Sequence, residues 1–191
     1  MYRVNEIFYS LQGEGFWTGT PMVFVRLSGC NLRCSFCDTD HSAFTTMSAH
    51  EIAEKALEEL PAGFLSEKHL CLTGGEPSLQ LDEMLLSELH AAGFKVHIET
   101  NGTRPLPGGV DWITLSPKNE DVVLEKADEL KLVMAGGVDP ERWASFPADH
   151  YFLQPCALPD GNSNTSETVS YILSHPFWRL SLQTHKLLGF R

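Results

Sequence analysis

Short hydrophobic runs recur along the chain and alternate with polar segments rich in glycine. Two β-rich runs come first, at residues 3–9 and 22–27, and a glycine-rich segment, 12–19, joins them. The second run contains three large apolar residues in succession, which is typical of a strand buried on both faces. Later runs predict further strands at residues 69–73, 94–98, 110–115, 130–134, 151–154 and 178–183.

Capping residues and hydrophobic spacing predict three helices between these strands. A capping box beginning at Ser48 starts the first helix, which Pro61 ends. The second helix is predicted over residues 79–92, with Gly93 as its left-handed stop, and the third over residues 166–174. Repetition of strand, helix and strand predicts an α/β fold with a parallel sheet.

The spacing of the strands indicates a partial barrel. The middle strands begin too close together for complete βαβ units, which usually take about 30 residues each, so some crossovers must lack a helix. We therefore predict a single domain over residues 1–191, built as a partial (βα)6-type parallel barrel with reduced helices. Segments 105–109 and 159–162 are predicted to be surface turns.

Polar and glycine-rich residues follow the predicted strands at their carboxyl ends. Barrels and open parallel sheets place their active sites at this edge. The segments concerned begin at Ser28, Thr73, Glu99, Ser116, Ala135, Gln154 and Gln183.

Composition and charge narrow the class of protein. Hydrophobic residues make up 42% of the chain, which excludes intrinsic disorder. The 14 Lys and Arg residues against 25 Asp and Glu residues give a net charge of −11, which argues against a nucleic-acid or anionic membrane surface. No apolar run approaches the ~18 residues of a membrane span, and no targeting peptide is visible, so we expect a cytoplasmic protein.

Three of the five cysteines form a CxxxCxxC motif, at Cys30, Cys34 and Cys37. Three thiolates on one loop can hold three irons of a [4Fe–4S] cube and leave the fourth iron open for chemistry. The alternative is a structural zinc site completed by His41 or Cys71. The other cysteines, Cys71 and Cys156, are expected to pack as small buried hydrophobic residues.

The motif comes directly after a buried strand, and Gly-Gly-Glu-Pro, starting at Gly74, follows the next strand. This combination resembles the radical S-adenosylmethionine (SAM) enzymes. The resemblance implies that the amino and carboxylate groups of SAM chelate the open iron. It also implies that an electron donor such as flavodoxin or ferredoxin reduces the cluster and that a 5′-deoxyadenosyl radical results. It also implies SAM contacts from Phe36, Gly74, Gly75 and Glu76.

Further short motifs follow one another in an order that resembles the 7-carboxy-7-deazaguanine synthase family, over essentially the whole chain. The motifs are residues 10–15 (SLQGEG), 24–34 (FVRLSGCNLRC), 37–39 (CDT), 73–77 (TGGEP), 99–103 (ETNGT), 116–118 (SPK), 153–155 (LQP) and 183–186 (QTHK). The resemblance implies a lyase, homodimeric as its family generally is, that converts 6-carboxy-5,6,7,8-tetrahydropterin to 7-carboxy-7-deazaguanine with loss of ammonia. This reaction is on the path to queuosine, and SAM acts in it as a catalytic cofactor.

The resemblance also assigns residues to ligands. It implies Mg²⁺ at Thr39, with Asp38 beside it, and further SAM contacts from Ser116, Lys118 and Gln154. The pterin site implied by the family contains Gln12, Gly13, Glu14, Arg26, Thr73, His185 and Arg191, the last through the carboxylate that ends the chain.

Two of these assignments have a physical reason in the sequence. Glu14 offers two acceptor oxygens to the guanidine-like edge of a pterin, although a solvated loop glutamate is the alternative. Arg26 is a charge inside an apolar strand and needs an anion, because an unpaired buried guanidinium is costly. That anion is expected to be the substrate carboxylate, or else Glu14 or Glu99.

The cysteine motif is also compatible with two other functions. An activase that installs a glycyl radical in a partner enzyme also uses CxxxCxxC, although Glu14 and Arg26 fit it poorly. A non-catalytic zinc-binding module would explain the cysteines alone.

Overall fold

The structure is a computed structural model that describes residues 1–37, 39–135, 138–156 and 163–191. The predicted turn at 159–162 and the candidate Asp38 lie outside these residues. Across the described residues, nine strands form one sheet in the order β3-β1-β2-β4-β5-β6-β7-β8-β9. The strands are β1 (Tyr2–Leu11), β2 (Pro21–Leu27), β3 (Thr45–Met47), β4 (Lys68–Gly74), β5 (Phe94–Thr100), β6 (Trp112–Leu115), β7 (Ala127–Met134), β8 (Ala148–Pro155) and β9 (Arg179–Leu180).

The strands from β2 to β9, apart from β3, run parallel and follow chain order. Strand β1 pairs antiparallel with β2 on one side and with the short β3 on the other. The parallel strands β2 and β4–β8, with the two-residue β9 beyond them, form the predicted partial barrel.

The helices are few and short, as the strand spacing predicts. Helix α1 (Ala49–Glu58) connects β3 to β4, and α2 (Glu83–Ala91) connects β4 to β5. The loops from β5 to β6 and from β6 to β7 contain no helix. Beyond them, α3 (Pro140–Trp143) is a single turn and α4 (Thr165–Ser174) precedes β9.

Capping decides where the helices begin. The capping box at Ser48 is present, with its hydroxyl accepting from the Glu51 N–H. The second helix starts at Glu83 rather than at residue 79, because the Asp82 carboxylate caps it by accepting from the Leu85 N–H at 2.9 Å. The preceding Pro77–Leu79 forms a separate 3₁₀ turn.

The prediction of a last strand at residues 178–183 is wrong over most of that range. Only Arg179–Leu180 pairs with β8, and the chain then turns into helix α5 (Thr184–Leu188). The turn is held by the Thr184 N–H, which donates to the Gly13 carbonyl at 2.9 Å. His185 therefore lies on a short helix and not at a strand end.

The two faces of the parallel strands differ in polarity. Alternate residues such as Leu70, Leu72 and Ile98 face outward, are fully buried, and pack under α1 and α2. A second apolar cluster, including Leu130, Leu132 and Leu153, packs toward α3 and α4. The intervening residues face into the barrel and are largely polar, including Thr73, His97, Glu99, Glu129, Lys131 and Gln154.

The glycine-rich loop between β1 and β2 fills the amino end of the barrel. Phe16 stacks on His150 and Trp112, with ring centroids 4.2 and 5.0 Å away. Trp17 packs against His69 and His97 at 5.0 Å from each. We call residues 12–20 the plug loop. No helix of the described residues is both long and apolar enough to cross a membrane.

Candidate functional site

Two adjoining cavities open at the carboxyl ends of the strands, where the sequence predicts the site. The first has a volume of about 260 Å³ and contains the cysteine loop. The second has a volume of about 320 Å³ and lies between the plug loop, β2 and α5. Both cavities are lined by Glu14, Thr39, Thr73, Gly74 and Glu99. The two cavities therefore adjoin each other.

Most of the predicted site residues divide between the cavities according to their predicted ligands, and Glu14, Thr73 and Gly74 line both. The first cavity is lined by the predicted cluster and SAM residues, which are Cys30, Cys34, Phe36, Cys37, Gly74, Gly75, Glu76, Ser116, Lys118 and Gln154. The second is lined by the predicted substrate residues, which are Gln12, Gly13, Glu14, Arg26, Thr73, His185 and Arg191. Thr39, the predicted Mg²⁺ ligand, lines both.

The Gly-Gly segment fixes the start of the cysteine loop. The N–H of Gly75 donates to the Leu27 carbonyl at 3.0 Å, and the N–H of Glu76 donates to the Gly29 carbonyl at 2.9 Å. A Cβ on Gly75 would lie 2.1 Å from the Gly29 carbonyl oxygen. Glycine is required there because the two backbones are in direct contact next to Cys30.

The carboxylate of Glu76 is occupied by the protein itself. It accepts from Ser78 N–H at 3.0 Å, from Thr100 Oγ1 at 2.7 Å and from Asn101 N–H at 2.7 Å, and Glu76 is 1% exposed. This buried anion ties the end of β4 to the end of β5. The side chain of Glu76 therefore has a structural role whether or not it also contacts SAM.

The three cysteines of the CxxxCxxC motif lie at the first cavity. All three are free thiols. Burial raises the pKa of Cys30 and of Cys34, and repulsion from Cys37 adds to this, so a positively charged iron centre would favour their thiolates. Among the described residues, no three His, Cys, Asp or Glu side chains converge closely enough to bind one metal ion.

Separated thiolates are what a [4Fe–4S] cube needs, because each binds a different iron. A closed tetrahedral zinc site would need its ligands around one point. Cys71 lies in β4 and lines the second cavity rather than the first, so it is not placed to complete such a site.

The SAM candidates on the far side of the first cavity are polar and held in place. Lys118 donates to Ser116 Oγ at 2.5 Å, and burial, together with the nearby Lys131, lowers the pKa of Lys118. The amide oxygen of Gln154 accepts from Ser181 Oγ at 2.9 Å.

Arg26 has a partner that the sequence did not indicate. Its Nε donates to Glu6 Oε1 at 2.7 Å, across the antiparallel pair of β1 and β2. The expected alternative, a pair with Glu14 or Glu99, is wrong, because Lys131 pairs with both of those carboxylates. A guanidinium carries several donors, so Arg26 keeps others for an anion in the second cavity.

The end of the chain closes the second cavity at its mouth. The guanidinium of Arg191 pairs with Glu6 and lies over the Phe8 ring, 4.5 Å from its centroid. The main-chain oxygen of Arg191 accepts from Ser10 Oγ. The ring of His185 lies against Gly13, where a Cβ would come within 2.2 Å of Nδ1.

Lys131 is the central residue that the sequence analysis missed. Its Nζ lies 2.8 Å from Glu14 Oε2 and 2.9 Å from Glu99 Oε2, and its side chain is 3% exposed. Three carboxylates, Glu14, Glu99 and Glu129, raise the pKa of Lys131 far above its usual value against the opposing effect of burial. A charged residue inside an apolar strand is the same sequence feature that singled out Arg26.

The carboxylates around Lys131 differ in protonation. Burial disfavours the charge on Glu14, but the attraction of Lys131 and hydrogen bonds from Lys131 and Gln183 lower the pKa of Glu14 to about 2. Burial raises the pKa of Glu99, and the charge of Glu14 supports this against Lys131. Burial raises the pKa of Glu129 to about 7. Of the three carboxylates, Glu14 is thus the one whose charge the surroundings favour.

Comparison with known proteins agrees with this arrangement. Residues 24–131, more than half of the chain, match the family model described as the Radical SAM superfamily. The chain therefore belongs to the radical SAM superfamily. Its first cavity contains the three cysteines and the Gly-Gly segment.

Full-length relatives narrow this assignment. The 7-carboxy-7-deazaguanine synthase of Bacteroides thetaiotaomicron is 52% identical over 192 residues and covers 100% of both chains. That of Bordetella pertussis is 45% identical, with 98% of each chain covered. The crystal structure of QueE from Escherichia coli matches with a TM-score of 0.77 and 28% identity, over 96% of this chain and 94% of that one. The chain belongs to the 7-carboxy-7-deazaguanine synthase family.

Proposed function

We propose that this chain converts 6-carboxy-5,6,7,8-tetrahydropterin to 7-carboxy-7-deazaguanine with loss of ammonia, as a carbon–nitrogen lyase of deazapurine and queuosine biosynthesis. The observation that carries the proposal is that the two cavities adjoin and have lining residues in common. Radical chemistry requires the substrate to lie in contact with the cofactor, and adjoining cavities allow that. The family membership supplies the reaction.

The cofactors that the superfamily implies are a [4Fe–4S] cluster and SAM. When bound, they would supply the radical chemistry for hydrogen abstraction from the substrate. Cys30, Cys34 and Cys37 would hold the cluster. The backbone at Gly74 and Gly75, on the cavity wall, would contact SAM.

The chain's own residues would bind and orient the substrate. Glu14, charged and held by Lys131 and Gln183, would accept from the donor edge of the pterin. Arg26 and the main chain at Gly13 would complete the second cavity. The plug loop closes the amino end of the barrel with aromatic rings, which keeps solvent away from the reacting centre on that side.

The proposal includes Mg²⁺ bound at Thr39. This residue lines both cavities, so an ion at its hydroxyl would lie within reach of a substrate carboxylate. Mg²⁺ often keeps water and substrate oxygens and takes few protein ligands. The Thr39→Val variant, which replaces the hydroxyl by a methyl group, is expected to lose the stimulation of turnover by added Mg²⁺. An unchanged Mg²⁺ response would place the ion elsewhere.

An electron donor is required, and we propose a flavodoxin or ferredoxin in that role. We also propose that the enzyme is a homodimer, which light scattering of the purified protein would test. A monomer under assay conditions would overturn that part. The cytoplasmic location stays a prediction from the sequence.

The decisive experiment is an anaerobic assay of the iron- and sulfide-reconstituted protein with SAM, reductant, Mg²⁺ and 6-carboxytetrahydropterin. Mass spectrometry is expected to show 7-carboxy-7-deazaguanine in excess over consumed SAM. Deoxyadenosine without that product would leave a radical SAM enzyme for another substrate. Tightly bound zinc with no iron would favour the zinc-binding module instead.

Two variants separate the cavities in the same assay. Cys34→Ala is expected to abolish the cluster and all SAM cleavage. Glu14→Ala should retain the cluster and uncoupled cleavage but bind substrate weakly, because it removes a substrate-binding carboxylate and leaves the three cysteines in place. Identical behaviour of the two variants would contradict this division of the site.

A further inference from the structure

Lys131 lines the first cavity and lies between two carboxylates that line both cavities and come from different elements. Glu14 is on the plug loop and Glu99 is on β5, and their oxygens lie 2.8 and 2.9 Å from the Lys131 ammonium. Strand alternation turns Lys131 into the barrel, while its neighbours Leu130 and Leu132 face the outer core.

Without a cation between them, these two carboxylates would repel each other. Two like charges in one buried site cannot both ionise easily, so one of them takes up a proton. Lys131 provides the compensating charge. Gln183 holds the other oxygen of Glu14 at 2.8 Å, so this carboxylate is fixed at both ends.

We infer that Lys131 is a positioning residue that holds the Glu14 carboxylate in the charge state and orientation in which it accepts hydrogen bonds from the donor edge of the substrate. The inference rests on the proposed function and deepens it. Lys131 acts through Glu14, and its removal should change substrate binding while the cysteines of the first cavity stay intact.

Other titratable groups face this cluster and contribute to its pH response. They come from β2, β5, the β6–β7 loop, β7 and α5, and they are Arg26, Glu99, Lys118, Glu129, His185 and Lys186. Each is common to the wild type and to a variant at Lys131. The ratio of the two affinities at each pH therefore reports the whole effect of Lys131. The Glu14→Gln background separates its effect through Glu14 from its effects on Glu99 and Glu129.

The probe is 6-carboxypterin, the fully oxidised form of the proposed substrate. It keeps the carboxylate and the donor edge but has no hydrogen on C6, so binding is measured without turnover. Isothermal titration of the reconstituted protein, from pH 6 to pH 8, gives the affinities. The exposed Lys126→Met is the matched control and should bind like the wild type.

The Lys131→Met variant is expected to bind about 10- to 100-fold more weakly, since a charge-assisted hydrogen bond is lost from Glu14. The loss should be larger at pH 6 than at pH 8. In the wild type the pKa of Glu14 is about 2, so Glu14 stays ionised throughout. In the variant, Glu14 faces Glu99 without the ammonium, its pKa rises, and acid protonates it.

A double variant tests whether Lys131 acts through Glu14. In a Glu14→Gln background, the further change Lys131→Met should alter affinity by less than about twofold, because the group that Lys131 positions is already neutral. Additive losses would overturn the inference. The double variant can still be measured if the single Lys131→Met variant does not fold. It lacks the charge of Glu14, which is one of the two carboxylates that the single variant leaves without a compensating cation.

The possible results separate a failure of the proposed function from a failure of the inference about Lys131. A wild-type protein that does not bind 6-carboxypterin would overturn the proposed function and this inference with it. A wild-type protein that binds, alongside a folded Lys131→Met variant that binds equally well at every pH, would overturn the inference alone. Iron content and SAM cleavage, measured on each variant, show whether the first cavity is intact.

Discussion

At Gly74 the backbones of β4 and β2 come so close that no side chain fits between them. Its φ is +138°, and a Cβ would lie 2.0 Å from the Leu27 carbonyl oxygen and 2.6 Å from the Leu27 nitrogen. The same contact leads directly into the segment that carries Cys30. Because Gly74 has no side chain, the two strands can make this contact, and the contact sets the position of the cysteine loop.

Replacing Gly74 by Ala is expected to destabilise the protein by about 2–5 kcal/mol, because both backbone strain and overpacking are introduced. The reconstituted variant should also hold less iron, since the cysteine loop must shift. Urea unfolding and iron analysis measure the two effects. Gly108→Ala is the control, because a Cβ there meets no atom within 4 Å. Equal stability of the two variants would contradict this explanation.

Single residues also show where sequence reasoning succeeds and where it stops. Glu14 and the cysteines stand in recognisable motifs, and the structure brings them to neighbouring cavities. Lys131 stands in no motif, and its partners are 32 and 117 positions away in the chain. Only the pairing of the strands reveals that it meets Glu14 and Glu99.

The plug loop joins two functions in one element. Its aromatic residues Phe16 and Trp17 fill the amino end of the barrel, and Glu14, two residues earlier, reaches the floor of both cavities. The loop is fastened by the Gly15 N–H to Ser181 Oγ at 2.9 Å and by the Phe16 N–H to Glu129 Oε2 at 3.1 Å. Packing at the amino end of the barrel therefore helps to position the Glu14 carboxylate, for which we propose substrate binding.

The variant Trp17→Ala is expected to cost about 2–4 kcal/mol of unfolding free energy, because it removes the ring that packs on His69 and His97. Affinity for 6-carboxypterin should fall as well, since Glu14 loses its support. Urea unfolding and calorimetric titration measure these effects. Leu65→Ala, at a side chain that is 98% exposed, should leave both unchanged. A stable Trp17→Ala protein with weakened binding only would show that the plug is not part of the core.

Elements were predicted well where the signal is local and poorly where it depends on distant partners. The capping box at Ser48 is decided within four residues, and the structure contains it. The apolar run 178–183 has the composition of a strand, but its strand pairing with β8 ends at Leu180. The Ser181 N–H still donates to Leu153 of β8, and the Thr184 N–H then donates to Gly13 of the plug loop. A contact across the whole chain could not be predicted from that run.

The molecule as a whole buries two groups whose protonation responds to acid in opposite directions. Burial, with help from His69, lowers the pKa of His97 to about 4. Burial, with help from Glu99 and Glu14 and against Lys131, raises the pKa of Glu129 to about 7. Both side chains face into the barrel and are less than 5% exposed.

The signs follow from where each proton binds. Between about pH 6.5 and 4 the unfolded state binds a proton at His97 and the folded state does not, so acid destabilises the fold. Between about pH 7 and 4.5 the folded state binds a proton at Glu129 and the unfolded state does not, so acid stabilises the fold. The two contributions oppose each other over most of this range, and the wild type should change little in stability between pH 7 and 5.

Removing one group should expose the other. On acidification from pH 7 to pH 5, Glu129→Gln should lose about 2 kcal/mol of unfolding free energy relative to the wild type. Proton uptake at His97 in the unfolded state then destabilises the fold without the opposing effect of Glu129. His97→Gln should gain about 2 kcal/mol relative to the wild type over the same interval, for the opposite reason. Urea midpoints at both pH values measure this, and contributions common to the three proteins cancel in the differences. Parallel pH dependences of all three would show that the barrel interior does not hold these groups in the charge states described.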